Sequence, residues 1–119
     1  MQNEHRIVKL LVANGLDKAA ARVLACYETA EDDDELTSMD LEHYAQLRQP
    51  EVSNGTSHLI DRGWLACRTR RKAEGRGRPI NLYRLAMPMR DIVHEIVRER
   101  TREIDQAQET AVELLRAVA

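Results

Sequence analysis

From Pro88 to Val118 nothing interrupts a helical pattern, and this stretch limits the architectures open to the chain more than any other. Val93, Val97, Arg100, Ile104, Ala107, Ala111, Leu114 and Val118 recur at alternating steps of four and three residues, the heptad spacing that lines one side of a helix. Ile92, Ile96, Val112 and Leu115 widen that line into a stripe. These 31 residues, at about 1.5 Å each, make a helix roughly 46 Å long. A compact body of this size cannot cover such a length. The surplus needs a second chain or stands in water, and a homodimer built on Val93, Val97, Ile104, Ala107, Ala111, Leu114 and Val118 is the expected solution. Folding back onto the chain's own body is the competing one. Arg100 interrupts the seam; it snorkels, pairs with an acid, or marks where the helices diverge. Arg98, Glu99, Arg102, Glu103 and Glu109 flank the seam, and parallel and antiparallel packing both stay open.

The rest of the chain is enough for one domain. The expected division is residues 1–86 as a folded domain, including an N-terminal helix over 4–14, and 87–119 as the long helix. With no Phe and only Tyr27, Tyr44, Tyr83 and Trp64 as aromatics, packing falls to Leu, Val, Ile and Ala, which suits helices. No apolar run nears the roughly 20 residues that span a bilayer, and the polar N-terminus does not resemble a signal peptide. A soluble, cytoplasmic protein is expected. Cys26 and Cys67 lie 41 positions apart without a CxxC or a Cys/His cluster, so no zinc site or other cofactor is expected and both thiols read as reduced and structural. A redox role for Cys67, beside arginines that lower a thiol pKa, stays open.

Along the chain, Ile7, Val8, Leu10 and Leu11 form the first helix, which stops at Asn14-Gly15. Asp17 caps a second helix whose stripe is Ala20, Val23, Leu24 and Tyr27. From Glu28 to Glu42 there are eight acids and no base, a solvated segment that phosphate would repel. Glu35–Thr37 is a short strand. Thr37 and Asp40 stand at capping-box spacing before a helix to Leu47, with Leu41, Tyr44 and Ala45 on its apolar face. Pro50 opens another helix that runs to Arg62, buries Val52, Leu59 and Ile60, and ends at Gly63.

Strands at 64–68 and 80–85 then enclose a basic, glycine-rich loop. Between Arg62 and Arg84 there are eight Arg or Lys residues and one acid, Glu74. The net +7 on these 23 residues leaves −9 on the other 96, in a chain whose formal charge is −2. Charge concentrated on a hairpin, directly after two helices joined by a tight turn, is the footprint of a duplex-DNA binder. The first helix of the pair braces the second, which is narrow enough for the major groove, where base edges carry a distinct donor and acceptor code. Gln49, Glu51, Ser53, Asn54, Ser57 and His58 miss the core and face the DNA in this reading. Arg68, Arg70, Arg71, Lys72, Arg76 and Arg78 supply phosphate or minor-groove contacts from the hairpin. Gly55 admits a close backbone approach, at a helix cost of about 1 kcal/mol relative to Ala. Trp64 reads as packing at the hairpin base.

The segment VSNGTSHLIDRGWLACRTRR followed by GRGRPINLYRL resembles the recognition helix and wing of winged helix-turn-helix transcriptional regulators of the MarR and TrmB type. Val52, Ser53, Leu59, Gly63, Trp64 and Leu65 carry the likeness, with Gly77-Arg78-Pro79 and Tyr83-Arg84-Leu85 on the return strand. It covers about residues 17–86 and departs at Gly55, at Thr56, where the family has an apolar residue, and at the acidic segment. The resemblance implies a mainly α (α+β) fold, DNA reading by the helix Gln49–Arg62, and groove or phosphate contact by Arg76 and Arg78. The expected function is a homodimeric, sequence-specific DNA-binding transcriptional regulator, with any effector unknown. The alternative is a winged-helix interaction module within a larger complex, since some winged helices bind proteins. An enzyme is not expected: no phosphate loop, HExxH or nucleophile signature is present.

Overall fold

The computed structural model describes residues 2–28, 34–71 and 78–119. Helix α1, Gln2–Ala13, stops where Gly15 takes a left-handed turn at φ 100°. The Asn14 amide donates back to the Leu10 carbonyl there at 2.8 Å. Helix α2, Lys18–Ala25, starts at Asp17, whose carboxylate accepts from the Ala20 N–H at 3.2 Å. Its inward residues, Ala20, Ala21, Val23, Leu24 and Ala25, are all buried. Strand β1, Leu36–Thr37, leads into α3, Ser38–Ala45. The capping box expected at that junction forms: Thr37 Oγ1 accepts from the Asp40 N–H at 3.1 Å, and the Asp40 carboxylate accepts from the Thr37 N–H at 2.9 Å. Gln46, at φ 54°, ends α3 earlier than the sequence pattern predicts.

Helix α4 spans Gln49–Asp61 and buries Val52, Gly55, Thr56 and Leu59. Gly63, at φ 78°, turns the chain into the sheet. Strands β2, Leu65–Arg70, and β3, Ile80–Leu85, pair antiparallel, and β1 adds to the far edge of β3, giving the order β1-β3-β2. Helix α5, Met89–Ala117, closes the chain.

One core joins these elements. Leu24, Leu41, Leu59, Trp64 and Ile92 are almost wholly excluded from solvent, and Leu11, Tyr83, Leu85 and Ile96 extend the cluster. The Tyr27 hydroxyl crosses it to donate to the Tyr83 carbonyl at 2.7 Å, tying α2 to β3. Burial holds that phenol protonated, far above the ordinary tyrosine range.

Two packing expectations differ from the structure. Tyr44 is 59% exposed on α3 and Ile60 is 39% exposed on α4, because Leu41 and Leu59 already fill the space beneath those helices. The N-terminal helix packs on α2, and the stripe of α5 from Val97 onward contains no buried residue.

Candidate nucleic-acid interface

Helix α4 presents two faces. Val52, Gly55, Thr56 and Leu59 point into the core, leaving Gln49, Ser53, Asn54 and Ser57 exposed on the opposite side. His58 is half-buried at the border. Glu51 is exposed, and its carboxylate accepts from the Arg48 N–H at 3.1 Å, so it closes the helix N-terminus. Thr56, the departure from the family pattern, is 3% exposed, and its hydroxyl donates to the Val52 carbonyl at 2.8 Å. The close approach that Gly55 permits is to α2. A Cβ there would stand 2.8 Å from the Ala19 carbonyl oxygen.

In the hairpin, Leu65, Cys67 and Thr69 lie opposite Leu85, Tyr83 and Asn81, while Ala66, Arg68 and Arg70 lie opposite Arg84, Leu82 and Ile80. Alternation gives each set one face. Leu65, Tyr83 and Leu85 of the first set are buried, while Cys67, Thr69 and Asn81 continue that face into solvent. Cys67 is thus exposed and not the buried thiol expected. Arg68, Arg70 and Arg84 share the other face, on which Leu82 is also buried. Sequence reading left that choice of face open, and it left Arg84 out of the candidate interface. The two-residue period, anchored on buried Tyr83 and Leu85, is the signal that places it.

Not all of the positive charge is available. Arg68 meets Glu35 through two contacts of 2.5 and 2.7 Å, a two-pronged pair of the kind guanidinium also makes with phosphate. That pairing holds the Glu35 carboxyl below its ordinary range. Arg62 is ion-paired with Glu99 and lies 4.5 Å above the Trp64 ring. The Trp64 indole N–H donates to Glu95, while the ring itself is 1% exposed, as fits packing at the hairpin base. By contrast, Arg70, Arg71, Arg78 and Arg84 are exposed and make no ion pair with any described residue. Lys72 and Arg76 lie outside the described residues. Exposed Arg48, next to Gln49, adds a cation at the start of α4.

A helix with a polar outer face follows a bracing helix, and the antiparallel hairpin after it is backed by a short third strand. The chain is an α+β winged helix. A possible transcriptional regulator from Methanosarcina mazei Go1 superposes with a TM-score of 0.65 at 15% identity, over 89% of this chain and 86% of that one. A second solved structure, also a transcriptional regulator, gives 0.56 at 22% identity, over 96% of this chain and 71% of that one. TrmBL2, an archaeal chromatin protein whose structure shows a novel mode of DNA binding, gives 0.50 at 20% identity. The winged helix covers 98% of its own length there but 43% of TrmBL2. No protein-family model and no curated protein matches the sequence. Among the described residues, no group of His, Cys, Asp or Glu side chains is placed to hold a metal, and no helix is long and apolar enough to cross a membrane.

Proposed function

We infer that this winged helix is a homodimeric transcriptional regulator of the MarR and TrmB type that reads duplex DNA. The observation that carries the reading is the continuity of two surfaces. The polar face of α4 (Gln49, Ser53, Asn54, Ser57) leads through Gly63 into a hairpin bearing arginines with no ion-pair partner among the described residues. Helix α4 enters the major groove, where Asn54 and Gln49 have the donor and acceptor pairs that adenine edges match. Arg70, Arg71, Arg78 and Arg84 neutralise phosphates, with Lys72 and Arg76 extending the same charged segment. Residues 1–86 form the reading domain in this account, and 87–119 the dimerising helix. The exposed seam of Val93, Val97, Ile104, Leu114 and Val118, with Ala107 and Ala111, supports the second part.

Fluorescence anisotropy on labelled duplexes tests the reading. Binding should weaken steeply between about 50 and 200 mM salt, and replacing Arg70, Arg71 and Arg78 with Ala should reduce the logarithmic salt slope by about 2 to 3. Asn54→Ala should change the ranking of duplex sequences while leaving the slope intact. Absent or salt-independent binding rejects the proposal. Combined with a protein partner that survives nuclease treatment, it would identify an interaction module instead.

A further inference from the structure

The compact body covers only the first turns of α5: Ile92 and Ile96 are buried, and no residue from Val97 onward is. We propose that a second copy of α5 closes this seam antiparallel, setting Val97 against the partner's Leu114, Ile104 against the partner's Ala107, Ala111 against the partner's Arg100, and Val118 against the partner's Val93. The proposal rests on the homodimer inferred above and adds its orientation and register.

Arg100 is the deciding residue. Its guanidinium turns out of the seam to its own helix's Glu103, 3.1 Å away, so the seam position holds the aliphatic stem and the charge lies at the edge. A stem of that length needs a small residue opposite, and Ala111 is one. The same register sets large Ile104 against small Ala107, the interdigitation that fills a core without voids.

Parallel pairing fails on both counts. It brings Arg100 to the partner's Arg100 in one layer, a like-charge contact, and puts alanine on alanine in the two successive layers of Ala107 and Ala111. Sliding the antiparallel pair by one heptad puts Arg100 against the partner's Ile104 or Val118. The slide that meets Ile104 also strands Leu114 and Val118. In the proposed register the two-fold axis passes between Asp105 and Gln106. The two Val97 residues, where the helices leave their domains, are then roughly 25 Å apart along the rod at about 1.5 Å per residue.

The test uses the full chain with Cys26→Ala and Cys67→Ser, without DNA. Sedimentation gives the oligomeric state, and non-reducing electrophoresis after mild oxidation gives the orientation. The Val97→Cys/Leu114→Cys double variant should form a covalent dimer, and each single variant should stay uncrosslinked. Equivalent positions in an antiparallel pair are roughly 25 Å apart, far beyond the reach of about 4.4 to 6.8 Å between disulfide-bonded Cα atoms. As a second check, Ala111→Glu should preserve or tighten the dimer several-fold by meeting the partner's Arg100. Covalent dimers from either single variant, or a dimer weakened several-fold by Ala111→Glu, overturn the orientation and leave the homodimer standing. A monomer at every concentration overturns both, without bearing on whether a monomer binds DNA.

Discussion

A methyl group added at Gly55 would meet the Ala19 carbonyl oxygen at 2.8 Å and Val23 Cγ2 at 3.0 Å. In an exposed helix the change to Ala gains about 1 kcal/mol, but overpacking against rigid backbone costs about 1 to 3 kcal/mol. Gly55→Ala is therefore expected to destabilise the fold, shifting the denaturation midpoint without changing its slope. The physics at Gly63 is different. Nothing stands within 4 Å of a Cβ there, and only its left-handed φ of 78° resists substitution. Glu35 makes a third residue-scale prediction. Its folded carboxyl lies below the unfolded value, so its contribution to stability is complete above about pH 4.3 and disappears as the pH falls through the folded value. The stability gap between the wild type and Glu35→Gln should close on acidification, as pH-dependent denaturation would show. The same substitution releases Arg68 on the outer hairpin face. It should tighten DNA binding and steepen the salt slope by about one phosphate contact, whereas Arg68→Ala should cost less affinity than Arg70→Ala.

At the scale of elements, the helices were largely legible from local chemistry. Asp17, the Thr37/Asp40 box and Gly63 mark their boundaries through bonds and torsions that involve only near neighbours. The hairpin was legible as a pair of strands, with β2 running to Arg70, two residues beyond the predicted end. Which cations it leaves free was not. Arg62 and Arg68 are held by Glu99 and Glu35, 37 and 33 positions away, and no local pattern encodes such pairings. Tyr44 and Ile60 fit apolar helical spacing yet face outward, because periodicity defines a stripe and the width of the neighbouring element decides how much of it is covered. Thr56 shows the reverse case, a polar residue at a core position whose hydroxyl is satisfied within its own helix. Thr56→Val should thus change stability by less than about 1 kcal/mol, as thermal or urea unfolding can check.

For the whole molecule, extents of 73 × 29 × 25 Å describe a compact head with a projecting rod. If a second chain covers the rod, the unfolding temperature should rise with protein concentration, since association stabilises only the folded state. Leu114→Glu should abolish that dependence while leaving the head folded, because every residue beyond Val97 lies outside the core. The junction between rod and head is built from side chains that lie where α4 ends and the hairpin begins. Arg62 at the end of α4 is tied to Glu99, and Trp64 at the start of the hairpin is tied to Glu95. These two struts act on a long lever. A tilt of about 5° at the junction would move the tip of a rod extending roughly 30 Å beyond it by about 3 Å, nearly the rise of one base pair. In the proposed dimer, Glu95 and Glu99 would thereby set the gap between the two hairpin-bearing heads without touching a nucleotide.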